Sequence, residues 1–238
     1  MKIGGFLPMT LSDYPGRIAA AVFTQGCNFR CPFCHNGTLL ATDPPSDTLM
    51  PVDRVVDFLD RRRECLDAVI VTGGEPTIQP DLPMFVNRIR RKGFKIKLDT
   101  NGSRPAVLRQ LLACHMLDYV AMDIKAPPGK YARLTGTDAP IASITESIAL
   151  LAESDTPCEF RTTYVPALLA ADDLQQIRSC LPPGARHTVQ PFVPDNALDA
   201  SLRSSTRRSA RNREAASLSG PENPTNNIPH HLEFLSGE

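Results

Sequence analysis

An α/β fold, and within it a partial (βα)6 barrel, is what this sequence predicts. Six short apolar runs, near residues 18–23, 68–71, 94–98, 119–124, 158–165 and 187–192, alternate with segments of helical periodicity. That beat implies a parallel sheet with helical crossovers. The unusual polar residues fall where the runs end, which favours an open barrel over a flat doubly wound sheet, because barrel enzymes keep their chemistry on that face. At 238 residues the chain suits one large domain, expected over 1–196, with a tail over 197–238.

Gly4, Gly5, Pro8 and Pro15 predict a short irregular lead-in or hairpin. Residues 18–23 form a continuous apolar run ending at Gly26, the mark of a buried strand. A loop rich in Thr, Ser, Asp and Pro follows over 36–50, and Pro51 then opens a helix on which Val52, Val55, Val56 and Leu59 share one face. The strand at 68–71 ends in Thr72, Gly73, Gly74, Glu75 and Pro76, and Leu82, Phe85, Val86 and Ile89 mark the next helix. Phe94, Ile96 and Leu98 alternate with Lys95 and Lys97 in a strand that ends in Asp99, Thr100, Asn101 and Gly102, before a helix around Val107, Leu108 and Leu111. After the strand at 119–124, Ser143 and Glu146 have the spacing of a capping box and are expected to open a helix. The last two strands flank a helix around Leu174 and Ile177. From about 197 the chain is rich in Ser, Arg, Ala, Pro and Asn, a composition that buries too little apolar surface to offset ordering entropy, so a disordered tail is expected. Its run Arg203, Arg207, Arg208, Arg211 and Arg213 reads as solvated, with a basic contact arm as the alternative.

Charged residues make up 22% and cancel to a net charge of +0, which points to no nucleic-acid or membrane-surface partner. The N-terminus has neither secretory nor transit character, and no apolar run approaches the roughly 18 residues of a membrane span. A soluble, cytoplasmic protein is expected. Seven cysteines without an export signal argue for reduced thiols, and Cys65, Cys114, Cys158 and Cys180 are expected as buried small hydrophobes.

The remaining three thiols, Cys27, Cys31 and Cys34, are spaced CxxxCxxC on the loop after the first barrel strand. Thiolates select zinc or iron-sulfur clusters. A structural zinc site asks for four ligands, and His35, adjacent to Cys34, is poorly placed to be the fourth. Three thiolates on one loop instead suit three irons of a cubane, leaving the fourth iron open to a substrate; zinc remains the alternative. Gly73 and Gly74 permit close backbone approach to a ligand, and Glu75 beside them can pair with an ammonium. The plainer reading of both is a strand-to-helix turn, as it is for Asp99 to Gly102.

The CxxxCxxC spacing with Phe33 before the last cysteine, together with the GGEP element at Gly73 to Pro76, resembles the radical S-adenosylmethionine (SAM) superfamily. The resemblance implies a [4Fe-4S] cluster on Cys27, Cys31 and Cys34 whose fourth iron is chelated by the amino and carboxylate groups of S-adenosyl-L-methionine. It further implies that Gly73, Gly74 and Glu75 hold the amino group and that Phe33 contacts the adenine. Leu98 to Gly102 and Met122 to Lys125 resemble the glycyl-radical-enzyme activases, which implies that Lys125 pairs with the methionine carboxylate and that Asp99, Asn101 and Asp123 line the cofactor pocket, with a monovalent cation as an option. Arg161 and Gln190 are weaker candidates.

Within those activases, Ile3 to Phe6, Asp13 to Gly16, Phe23 to Asn28 and Cys34 to Asn36 are similar to the activating proteins of anaerobic ribonucleoside-triphosphate reductase, over roughly residues 1–195, with the tail departing from that pattern. The implied chemistry is reductive cleavage of S-adenosylmethionine to a 5′-deoxyadenosyl radical that takes a hydrogen from a glycine of the reductase. With no second cysteine cluster, electrons would come from an external donor such as flavodoxin, for which Arg61 to Arg63, Arg88, Arg90, Arg91 and Lys92 are candidate contacts, although solvated helix faces are the plainer reading. The rivals are a small-molecule radical enzyme such as a 7-carboxy-7-deazaguanine synthase and a non-catalytic metal-binding module.

Overall fold

The computed structural model describes residues 1–203. One seven-stranded sheet runs in sequence order, β1 (Ile3–Thr10), β2 (Ala19–Thr24), β3 (Ala68–Gly73), β4 (Lys95–Thr100), β5 (Tyr119–Asp123), β6 (Cys158–Tyr164) and β7 (His187–Pro191). β1 pairs antiparallel to β2, and every later pair is parallel. The intervening helices are α1 (Val52–Arg61), α2 (Leu82–Arg90), α3 (Pro105–Ala113), α4 (Tyr131–Thr135), α5 (Ile141–Glu153), α6 (Ala171–Ser179) and α7 (Ala200–Arg203).

An order that never reverses sends every crossover the same way round, so the helices gather on one face and the sheet curls away from them. The side chains record this division. Val69, Val71, Ile96, Leu98, Val120, Met122 and Phe160 point into the large helix-covered core, whereas Ala19, Ala21, Ala68, Ile70, Tyr14 and Tyr119 form a separate cluster on the concave face. Small alanines there let the sheet close tightly. The expected partial (βα)6 barrel is therefore present, with β1 and β7 as its edge strands.

One alternative is decided and two expectations are corrected. Of the irregular lead-in and the hairpin, residues 3–10 take the second, a strand paired antiparallel to β2; Pro8, which cannot donate to a ladder, is accommodated because β1 is an edge. After β5 comes the short α4, and α5 then starts at Ile141 behind Pro140, so Ser143 lies inside its first turn, and Glu146 pairs with Arg109 of α3. The barrel also does not stop at 196: Ala197 and Leu202 are buried, and α7 seats Leu202 in the main core. Residues 204–238, which carry the rest of the expected tail and its arginine run, lie outside the described residues.

Candidate active site

The three-cysteine loop leaves β2 at Gly26 and crosses the C-terminal mouth of the parallel strands. Cys27 and Cys31 are buried and Cys34 is half-buried. The loop is tied from several sides. Asn28 donates through Nδ2 to Ser103 Oγ (2.8 Å) and accepts at Oδ1 from Asn101 Nδ2 (3.0 Å). The backbone N–H of Arg30 donates to the carbonyl of Thr135 (2.7 Å), and that of Asp199 donates to the carbonyl of Pro32 (2.8 Å). His35 meets Phe192 edge to face at 6.1 Å. Phe33 is buried in the core, and the N–H of Phe29 points at Cys27 Sγ (3.4 Å).

Burial pushes the Cys27 thiol up to about 12 and the Cys31 thiol to about 11, and raises Cys34 as well. The Lys125 ammonium opposes the rise at all three. Left to themselves these are neutral thiols at neutral pH; bound iron supplies the positive charge that makes them thiolates.

At the exit of β3, Gly73 has φ +110°, and a Cβ there would stand 2.4 Å from the backbone nitrogen of Thr24. A Cβ on Gly74 would stand 2.1 Å from the carbonyl oxygen of Gly26. The paired glycines thus let this turn lie directly against the start of the cysteine loop, where the N–H of Glu75 donates to that same Gly26 carbonyl (2.9 Å). The side chain of Glu75 differs from the expectation of a ligand contact. It is fully buried, with Oε1 accepting from the N–H and hydroxyl of Thr77 and from Thr100 Oγ1 (2.7 Å), and Oε2 accepting from the N–H of Asn101 (2.6 Å). Burial raises its pKa against the pull of those donors. Both oxygens brace the turn to β4, so what this turn can offer a ligand is backbone. Asn101 is likewise committed, because its Oδ1 accepts from the N–H of Ser103 (2.9 Å) while Nδ2 serves Asn28.

Charged side chains line the concave face below the loop. Lys97, 2% exposed, stands 2.9 Å from Asp99 Oδ1 as an ion pair without hydrogen-bond alignment and donates to the carbonyl of Asp13 (2.7 Å). Arg161 of β6 reaches Asp99 Oδ2 (3.4 Å) and Asp123 Oδ1 (3.0 Å). Lys125 closes the line on Asp123 Oδ2 (2.9 Å), and its backbone N–H donates to the hydroxyl of Tyr131 (3.4 Å). Burial alone would raise the Asp123 carboxyl, but Lys125 and Arg161 outweigh it and hold it at about 2. Asp99, Asp123 and Lys125 are thus joined in one ion-pair network through Arg161. Arg161 is the member the sequence undervalued, and its guanidinium bridges both aspartates where a cation had been an option. Lys97 was read only as the polar side of a strand. Gln190 is exposed on β7.

Among the described residues no three His, Cys, Asp or Glu side chains are grouped closely enough to hold a single metal ion; a cubane asks each thiolate for a separate iron. Three thiols on one loop, all within the electrostatic reach of Lys125, suit a cubane cluster, which Cys27, Cys31 and Cys34 would hold. The other four cysteines depart from expectation: Cys65, Cys114 and Cys180 are exposed just beyond the ends of α1, α3 and α6, and Cys158 is half-buried. Of the basic residues, Arg88 pairs with Asp53, Arg90 with Asp118 and Lys92 with Asp60, while Arg61, Arg62, Arg63 and Arg91 are exposed. No helix among the described residues is long and apolar enough to cross a membrane.

Residues 21–173 match the Radical SAM superfamily. A protein of Methanocaldococcus jannaschii, provisionally named a glycyl-radical enzyme activating enzyme, is 32% identical over 203 residues, covering 83% of this chain and 82% of the relative. A pyruvate formate-lyase-activating enzyme of Staphylococcus epidermidis is 30% identical over 177 residues, covering 69% and 68%. A 7-carboxy-7-deazaguanine synthase of Hyperthermus butylicus is 32% identical over 134 residues, covering 52% and 55%. Among solved structures, Streptococcus suis SuiB bound to S-adenosylmethionine shares the fold at a TM-score of 0.55 and 16% identity, over 81% of this chain and 45% of that one. The chain belongs to the radical SAM superfamily, and its cofactors are a [4Fe-4S] cluster and S-adenosylmethionine.

Proposed function

We propose that this radical SAM enzyme is a glycyl-radical-enzyme activase, and that its target is an anaerobic ribonucleoside-triphosphate reductase. The supporting observation is the reach of the likeness: the similarity to the M. jannaschii protein named for activation runs through 83% of this chain and 82% of that one. The likeness to the deazaguanine synthase stops at about half of each chain, 52% and 55%. When bound, the reduced cluster supplies the electron that cleaves the sulfonium of S-adenosylmethionine.

The residues of this chain do the rest. Cys27, Cys31 and Cys34 would hold three irons, and the backbone of Gly73 and Gly74 would meet the amino group. Lys125 would hold the methionine carboxylate, with Asp123 beside it kept anionic, and Phe33 would flank the adenine. Arg161 keeps the two aspartates apart in charge and fixed in place, and the buried mouth excludes water from the reactive species. None of these roles needs a side-chain acid or base. β1 and β7 are the edge strands of the sheet, and a glycine-bearing loop would enter between them. Electrons would come from a separate donor such as flavodoxin in the anaerobic cytoplasm.

The test is electron paramagnetic resonance after anaerobic mixing of reduced enzyme, S-adenosylmethionine and the reductase. A glycyl radical signal that vanishes with Cys31→Ala supports the assignment. Cleavage of S-adenosylmethionine with no radical on the reductase would instead favour the second reading, a small-molecule enzyme of the deazaguanine synthase kind.

A further inference from the structure

Three side chains at the mouth of the barrel make a closed ring of hydrogen bonds. Asn28 Nδ2 donates to Ser103 Oγ (2.8 Å), the N–H of Ser103 donates to Asn101 Oδ1 (2.9 Å), and Asn101 Nδ2 donates back to Asn28 Oδ1 (3.0 Å). Asn101 and Ser103 are each 5% exposed, and Asn101 is itself anchored through its N–H to Glu75 Oε2 (2.6 Å). The ring therefore belongs to the rigid end of β4, and Asn28 is the point at which the cysteine loop is fastened to it. Asn28 lies between Cys27 and Phe29, and the Phe29 N–H is the donor aimed at Cys27 Sγ (3.4 Å).

We propose that Asn28 is a positioning residue for the cluster: its amide, clasped by Asn101 and Ser103, fixes the Cys27–Phe29 backbone so that Cys27 presents its sulfur to iron while the Phe29 N–H stays bonded to that sulfur. The physical consequence is electrostatic. An N–H pointing at a cluster thiolate stabilises the reduced, more negative state, and hydrogen bonds to sulfur are among the features that set cluster potentials. Asn28 thus acts through Cys27 on two properties, how firmly iron is held and how readily the cluster accepts an electron. A side-chain amide suits the task because it donates and accepts at once. The inference rests on the cluster-binding role of the three cysteines and is independent of which substrate the radical attacks.

The experiment compares reconstituted wild-type enzyme with Asn28→Ala and Ser103→Ala. Readouts are the rate of iron loss to a chelator under anaerobic conditions and the midpoint potential of the cluster, with melting of each apo-protein as a control for folding. Asn28→Ala is expected to assemble the cluster, to lose iron about tenfold faster, as loss of an outer-shell partner does elsewhere, and to shift the potential to more negative values. Ser103→Ala, which removes one bond of the ring and leaves Asn28 in place, should show the same changes at smaller size, and it decides alone if Asn28→Ala does not fold. A wild-type rate of iron loss together with an unchanged potential in the folded variants would overturn the proposal.

Discussion

Arg161 shows how a single residue can govern this site. It is 15% exposed, and its guanidinium neutralises Asp99 and Asp123 from a third strand, so the concave face carries its charges as pairs. Removing one partner from such a group leaves an uncompensated buried charge, and Arg161→Met is expected to cost about 3–5 kcal/mol in denaturant unfolding of the apo-protein. The effect has a pH signature. Asp123 is held at about 2, below its usual 3.8, so it contributes stability that is present above 3.8 and lost as pH falls toward 2. The difference between wild type and Arg161→Met should accordingly be largest above that window and shrink within it; a difference independent of pH would assign the loss to packing alone. Lys125→Met should leave cluster assembly intact but weaken S-adenosylmethionine binding by about tenfold or more, the scale of one charge-assisted hydrogen bond, as read by equilibrium binding to the reconstituted enzyme.

At the scale of elements, the site is a convergence of strand exits on one loop. β3 approaches the cysteine loop through Gly73 and Gly74, the exit of β4 through Asn101 and Ser103, α4 through its last residue, Thr135, and the chain after β7 through Phe192 and Asp199. Gly74→Ala would drive a methyl into the Gly26 carbonyl, and overpacking of this kind costs about 1–3 kcal/mol; reduced iron content after reconstitution, with the fold retained, is the expected result. Leu202→Asp would unseat α7 from the core and loosen the Asp199–Pro32 contact, and faster iron loss to a chelator would report it.

The sequence carried the beat of strands and helices plainly, because buried parallel strands are short apolar runs and the helical faces repeat cleanly. It was less informative wherever the decisive fact was which side of the sheet a residue faces. Lys97 sits in an alternation that reads the same whether its face meets water or the inside of a barrel. Glu75 looked like a ligand because a carboxylate beside paired glycines suits an ammonium, and only the fold reveals Thr77, Thr100 and Asn101 around it. Cys65, Cys114 and Cys180 lie next to apolar segments in sequence, yet they fall just past helix ends, where the chain turns outward. Ala197 and Leu202 belong to a short apolar patch just before a long polar stretch, and a single turn of that length is too brief to show helical periodicity.

For the whole molecule, the uninterrupted strand order gathers every polar strand exit at one mouth, and the three thiols cross that mouth with a lysine beneath them. On the proposed reading, these thiols would give iron three protein ligands and leave one position for S-adenosylmethionine. The most direct measurement of that claim is reductive cleavage of S-adenosylmethionine by the anaerobically reconstituted protein. The account predicts a brown protein with about four irons per chain that converts S-adenosylmethionine to 5′-deoxyadenosine and methionine on reduction, and loss of both colour and turnover in Cys31→Ala. A colourless protein that binds zinc through these cysteines and leaves S-adenosylmethionine intact would contradict it.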